Sequence, residues 1–274
     1  MIKQASRIDK LFEKKRGSEK VLSLFITAGY PDLESTTDLI LGFEKSGADL
    51  IELGMPFSDP LADGPTIQYA SNTAIQNGIK MDRIFQMVSK VRKDSQIPIV
   101  LMGYINPVLH YGVQKFCQKA SEAGVDGLII PDAPIEESSV ISEAADQSEL
   151  NMIYLVAPNT NDHRMRKADE LSSGFVYCVS VTGVTGAREG DEVAQSVQRF
   201  KDRVNSNVTR NPKLVGFGIK SYRDAQKIAG DMDGYIVGSA LIDTIRNHYP
   251  NKGWKENVFS FVRELKYGTN QSNS

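Results

Sequence analysis

Glu52 and Asp63 are the carboxylates whose setting is hardest to explain as ordinary surface chemistry. Glu52 stands inside the apolar run ADLIELG, and Asp63 follows in GMPFSDPLADGP, residues 54–65. Side chains of a β-strand alternate between faces, so Leu50, Glu52 and Gly54 share one face while Asp49, Ile51 and Leu53 share the other. With Ile51 and Leu53 packed outward under helices, Glu52 points inward. An ionised carboxylate there costs several kcal/mol unless solvated or partnered. Burial would raise its pKa and suit it to general acid and base chemistry. The plainer alternative is a wet, structural Glu at a strand mouth.

Asp63 is open to two readings. It can be a turn or N-cap residue before the helical pattern PTIQYASNTAIQNG, or a carboxylate carried on a functional loop. The loop is longer than the usual two to six residues between a strand and its helix, and such loops are often functional. Asp59, ahead of Pro60, fits a turn, and Asp49 a surface role. Further along, glycines recur in SVTGVTGAREG (180–190), VGFGI (215–219) and IVGSAL (236–241). Gly218 and the Gly238–Ser239 pair would let backbone N–H groups approach a phosphate dianion that a side chain would block. Alternatively, those glycines only let strands turn into helices. Lys220, directly after the first of these last two motifs, is the one cation beside them, so peptide dipoles would do the binding. The loop GVTGAREG reads as a lid. Tyr177 shares an inward face with Phe175 and Val179, where its hydroxyl needs a partner.

Eight strand candidates must position these groups: 21–29, 48–54, 97–104, 126–132, 151–158, 174–180, 213–219 and 233–241. Between them lie amphipathic patterns with apolar residues at helical spacing, several ending at Gly, such as LESTTDLILGFEKSG, MDRIFQMVSKVRKD and VQKFCQKASEAG. Near-continuous apolar strands alternating with helices describe a parallel sheet covered by helices. Eight repeats in 274 residues predict a single α/β domain, a (β/α)8 barrel of the TIM type, over residues 1–268, with a disordered tail at 269–274. An extra N-terminal helix and extended loops after strands two and six complete the expectation. An open dinucleotide-binding sheet would want Gly-x-Gly-x-x-Gly after the first strand, where the chain has TAGYPD. In a barrel, function collects at the C-terminal strand ends, and Glu52, Tyr104, Asp132 and Tyr177 fall there.

Composition narrows the classes of partner. A formal net charge of -2 supplies no basic field for nucleic acid or anionic membrane. Two distant cysteines, Cys117 and Cys178, and three scattered histidines offer neither a disulfide framework nor zinc-ligand spacing, so no metal is expected. The N-terminal segment MIKQASRIDKLFEKKRG lacks a continuous apolar run, and no run reaches the roughly 18 residues that span a bilayer. A cytoplasmic protein is expected.

LFITAGYPD, ADLIELGMPFSDPLADGPTIQ, GLIIPDAP, SVTGVTGARE, GFGI and IVGSA resemble, in order and spacing, the α subunit of tryptophan synthase over roughly residues 8 to 266. The resemblance implies cleavage of indole-3-glycerol phosphate to indole and glyceraldehyde 3-phosphate, without a cofactor in this chain. It also implies a β-subunit partner in an α2β2 complex, which condenses indole with serine on pyridoxal phosphate and docks near residues 56–61. Matched by motif, the catalytic pair is Glu52 and Asp63, and Tyr177 is the active-site tyrosine. Phe25 and Tyr104 match pocket positions, Thr185 the lid threonine that meets Asp63, and Gly186, Gly218, Gly238 and Ser239 the phosphate loops. Met55, where Val or Ile is commoner, and GYINPVLHYG after strand three depart from the pattern without touching the acid/base pair. Three rivals share parts of this description. A stand-alone lyase would need no β subunit. An isomerase or aldolase would be expected to carry a Lys or His base at a strand end, and none is there. A partner-binding barrel that had lost catalysis would not need Glu52, Asp63 and Tyr177.

Overall fold

The structure is a computed structural model that describes residues 5–179, 191–216 and 218–268. Its strands are β1 (Val21–Thr27), β2 (Leu50–Gly54), β3 (Ile99–Met102), β4 (Gly127–Ile129), β5 (Asn151–Ile153), β6 (Leu155–Val156), β7 (Val176–Val179), β8 (Lys213–Gly216) and β9 (Gly234–Val237). All pairings are parallel, in the order β5-β4-β3-β2-β1-β9-β8-β7-β6. The two ends of that order are one stretch of chain. The candidate strand 151–158 breaks at Tyr154, so that Asn151–Ile153 pairs with β4 and Leu155–Val156 pairs with β7. The nine short strands therefore make the expected eight-fold barrel, nearly closed, with the fifth strand divided between its neighbours.

Side-chain alternation sorts each strand between two cores. Val21, Leu50, Val100, Ile129, Ile153, Phe175, Leu214 and Ile236 fill the barrel interior. Leu22, Leu24, Ile51, Leu53, Leu101, Leu128, Val176, Cys178 and Val215 face the helical layer instead. Burying an aliphatic or aromatic side chain of this size is worth about 1.5–3 kcal/mol, so both faces reward an apolar strand.

The N-terminal helix α1 (Arg7–Lys15) closes the bottom of the barrel: Ile8 is fully buried in the interior cluster, with Leu11 and Phe12 packed against it. Its start is set by a capping box, in which Ser6 accepts from the Asp9 N–H and Asp9 accepts from the Ser6 N–H at 2.9 Å. This bottom face also corrects the reading of Asp49 as a surface residue. Asp49 accepts from the Leu22 N–H at 2.9 Å and pairs with Lys266 at 2.7 Å and Lys15 at 3.2 Å. It ties α1 and the C-terminal helix, Trp254–Tyr267, to the barrel floor.

At the opposite end several strands stop short of their apolar runs. Tyr104 and Asp132 lie beyond β3 and β4 rather than ending them. Tyr104 sits at the N-terminus of helix Ile105–Tyr111, whose first N–H donates to Asp132 Oδ1 at 2.9 Å. Ser239 and Leu241, read as strand, belong to helix Ser239–His248, because the chain turns at Gly238. The long connection after β2 runs over residues 55–64 before helix Pro65–Gln76 begins behind Gly64. The loop after strand six, 180–190, and the tail 269–274 lie outside the described residues.

Candidate active site

Glu52 occupies the inner face of β2, a strand flanked by β1 and β3 and buried at every position. Its carboxyl is 0% exposed. Oε1 accepts a hydrogen bond from the Ser23 hydroxyl at 2.7 Å, whereas Oε2 has no partner among the described residues. Burial pushes its pKa up to about 8, with the Ser23 hydroxyl working in the opposite direction. Near neutral pH the protonated form therefore prevails, and a modest change in surroundings can release the proton.

Tyr177 lies across the barrel on β7. Burial first, and the Glu52 carboxyl second, hold its pKa well above the ordinary tyrosine value, so its hydroxyl stays a donor. The neighbouring strand makes room for it: a Cβ at Gly216 would stand 3.0 Å from that hydroxyl. Phe25, which pairs in register with Glu52, uses glycines on both flanks. A Cβ at Gly54 would come within 2.6 Å of Phe25 Cζ, and one at Gly238 within 3.3 Å of Phe25 Cβ. The mouth is thus lined by aromatic rings seated on glycines.

Asp63 arrives from the loop. A turn places it, with its N–H donating to the Pro60 carbonyl at 3.1 Å, and it does not cap the following helix, where Gly64 holds the cap position without a side-chain bond. Asp59 keeps its turn role, accepting from the Ser58 hydroxyl at 2.5 Å. The loop is tied to the barrel mouth by Tyr104, whose hydroxyl accepts from the Ala62 N–H at 2.9 Å and whose ring stacks on Phe57 at 5.5 Å. Burial raises the Asp63 pKa to about 6, and the Tyr104 hydroxyl beside it opposes the shift. One aromatic residue beyond β3 therefore ties down the loop that carries this carboxylate and partly offsets the effect of burial on its charge.

The glycines predicted to hold phosphate lie past β8 and β9, which are adjacent strands. Gly218 is exposed at φ +62°, a backbone conformation that favours glycine, with open space over its Cα. Gly238 precedes the ten-residue helix Ser239–His248, whose first N–H groups lack intrahelical acceptors. Gly238 also accommodates Phe25, so part of its small size serves packing. Thr185 and Gly186 fall outside the described residues. Among the described residues no cluster of His, Cys, Asp or Glu could hold a metal ion.

Two participants escaped sequence reasoning. Ser23 interrupts the apolar run VLSLFIT at an inward position, a polar residue where the barrel floor is otherwise apolar, and that was its only signal. Thr27, two steps further along the same face beyond Phe25, is buried with an Oγ1 that lacks a partner among the described residues.

Comparison with known proteins decides what this arrangement belongs to. Residues 11–270 match the family model described as tryptophan synthase alpha chain. The chain belongs to the tryptophan synthase alpha chain family. It is accordingly a carbon–carbon lyase acting on indole-3-glycerol phosphate. The alpha chain of Thermoanaerobacter sp. (strain X514) is 47% identical over 262 residues, covering 95% of this chain and 98% of that one. Among solved structures, the alpha subunit from Legionella pneumophila str. Paris superposes with a TM-score of 0.87 at 38% identity, covering 97% of this chain and 98% of that chain. The tryptophan synthase complex from Pyrococcus furiosus contains a chain matching with a TM-score of 0.80 at 34% identity, over 90% of this chain and 98% of its own. Family membership and barrel agree with the sequence motifs, and the buried Glu52 stands at the end of the barrel where the fold keeps its chemistry.

Proposed function

We propose that Glu52 and Asp63 together carry out the retro-aldol cleavage of indole-3-glycerol phosphate. The observation that carries this reading is the buried Glu52 carboxyl, with one oxygen held by Ser23 and the other without a partner among the described residues. Neutral Glu52 protonates C3 of the indole ring, which makes the ring an electron sink. The resulting carboxylate then takes the proton of the glycerol hydroxyl next to C3 as the C–C bond breaks. The bonding electrons return to the ring to give indole, the hydroxyl carbon becomes the aldehyde of glyceraldehyde 3-phosphate, and Glu52 ends protonated as it began. Asp63, as a carboxylate, accepts the indole N–H and offsets the positive charge that develops on that nitrogen. Phe25, Tyr104 and Tyr177 form the pocket for the indole, and the phosphate meets backbone N–H groups of Gly218 in the loop after β8 and of Gly238 and Ser239 at a helix N-terminus. Thr185 and Gly186 take lid and phosphate roles by family resemblance.

The indole passes to a β subunit in a cytoplasmic α2β2 complex. Supporting this, relatives of known structure include the Pyrococcus furiosus tryptophan synthase complex. Leu61, in the loop that resemblance assigns to the partner, is 96% exposed, an apolar side chain suited to burial by another subunit. Among the described residues no helix is long and apolar enough to cross a membrane.

Indole release from indole-3-glycerol phosphate, with β subunit titrated in, tests the assignment. Glu52→Gln is expected to retain ligand binding and lose turnover by at least about 10²-fold, the usual worth of a general acid–base group. Asp63→Asn is expected to fail as well, since an amide cannot balance the ring charge. Retained turnover in either variant removes that residue from its role. Full activity without stimulation by the β subunit would favour a stand-alone lyase.

A further inference from the structure

We propose that Ser23 is a positioning residue for this reaction: it anchors Oε1 of Glu52 and so reserves Oε2 as the oxygen that carries and exchanges the proton. The inference rests on the acid–base reading of Glu52 and adds which of its oxygens acts and what holds the other. Ser23 lies on the inner face of β1, paired in register with Leu50 and fully buried. Glu52 is two residues further along β2, so its longer side chain reaches back toward the barrel floor to meet the hydroxyl at 2.7 Å. Around it the interior is apolar: Val100 pairs in register with Glu52 on β3, and Val21 and Leu50 belong to the same interior cluster. A carboxyl in such a place, without an anchor, could turn either oxygen to the substrate.

Chemistry then divides the two oxygens. The Ser23 hydroxyl donates its proton, so Oε1 must be an acceptor, the carbonyl oxygen of the neutral acid. The acidic proton therefore resides on Oε2, the atom without a partner among the described residues. A free hydroxyl proton on a carboxyl fixed at its other oxygen is preorganised for transfer to a ring carbon. The same bond strengthens when Glu52 becomes anionic, because hydrogen bonds to charged acceptors are stronger than neutral ones. Ser23 thus favours proton release as well as orientation, against the burial that favours the neutral acid. Among the titratable groups described, Tyr177 faces Glu52 from β7, and no described Lys, Arg or His acts on its charge.

The test combines infrared difference spectroscopy with kinetics on the full chain, with β subunit present for the rates. The C=O stretch of the buried Glu52 acid is assigned as the band lost in Glu52→Gln. In Ser23→Ala that band is expected at higher wavenumber, since its carbonyl loses a donor. The alkaline limb of the indole-release profile is expected to move up by about one pH unit, the scale of one hydrogen bond to a charged group. The turnover number falls with little change in KM. Ser23→Cys, nearly isosteric with a weaker donor, is expected to lie between wild type and Ser23→Ala on each measure. An unmoved band in folded Ser23→Ala overturns the anchor even if Glu52 remains essential. A moved band with an unchanged alkaline limb and turnover number overturns the positioning role. Turnover by Glu52→Gln defeats the parent reading instead, and the band position still reports on Ser23.

Discussion

Glu52→Gln has a consequence for stability that can be worked out from its burial. In the folded chain the carboxyl titrates near 8, against an ordinary value of 4.5. A carboxyl whose folded pKa is raised binds its proton more tightly in the native state than in the unfolded one. Below pH 4.5 both states are protonated and the residue is neutral in the balance. Between the two pKa values the unfolded state loses the proton first, so stability falls as pH rises. The slope approaches about 1.4 kcal/mol per pH unit for one proton, so raising the pH from 5 to 7.5 removes roughly 3 kcal/mol that glutamine, which does not titrate, would not lose. For a chain of this size that corresponds to a relative change in Tm of roughly 5 °C. The assay is thermal or urea unfolding of wild type and Glu52→Gln across pH 5 to 8.5, following the difference between them, which cancels every other titrating group. The expected result is a variant whose advantage over wild type grows steadily with pH. Parallel curves would refute the reasoning, because they would mean that the carboxyl is solvated or compensated in the folded chain.

The same two carboxyls predict a bell-shaped rate profile. Activity should fall below about pH 6 as Asp63 becomes protonated and above about pH 8 as Glu52 loses its proton, and buffers spanning pH 5 to 9 check it. Tyr104→Phe removes the hydroxyl that accepts from Ala62 and opposes the rise in the Asp63 pKa. Its acid limb should therefore move to higher pH and kcat/KM should fall about tenfold or less, the worth of one net hydrogen bond; an unchanged limb would separate Tyr104 from Asp63. Gly54→Ala drives a methyl to within 2.6 Å of the Phe25 ring, so about 1–3 kcal/mol of stability should be lost, with a raised KM from the displaced ring, measurable by urea unfolding and steady-state kinetics.

How the chain's own pattern prepares the site varies from residue to residue. Strand alternation alone puts Glu52 inside, because Ile51 and Leu53 claim the helical layer, and the structure places all three accordingly. Phe175 and Tyr177 inward with Cys178 outward follow from the same period of two. The specific run around Asp63 identifies the family, and the number of apolar segments anticipates the barrel. Local pattern was weaker on where strands end: apolar residues continue past the last ladder bond at Tyr104 and Leu241, where the chain is already turning into helix.

What only the tertiary structure decided concerns contacts between distant segments. Asp49 has the look of a surface acid in its own strand, yet Lys15 and Lys266 reach it from the two ends of the chain. Tyr104 is a pocket aromatic in sequence, and only the path of the 55–64 loop brings Ala62 and Asp63 to its hydroxyl. Ser23 is the clearest case, since its bond to Glu52 depends on the register between β1 and β2. Periodicity is a property of neighbours along the chain and assigns each side chain to a face. Which atom on that face meets which other is set by strand register and loop path, and these are energies of the whole barrel.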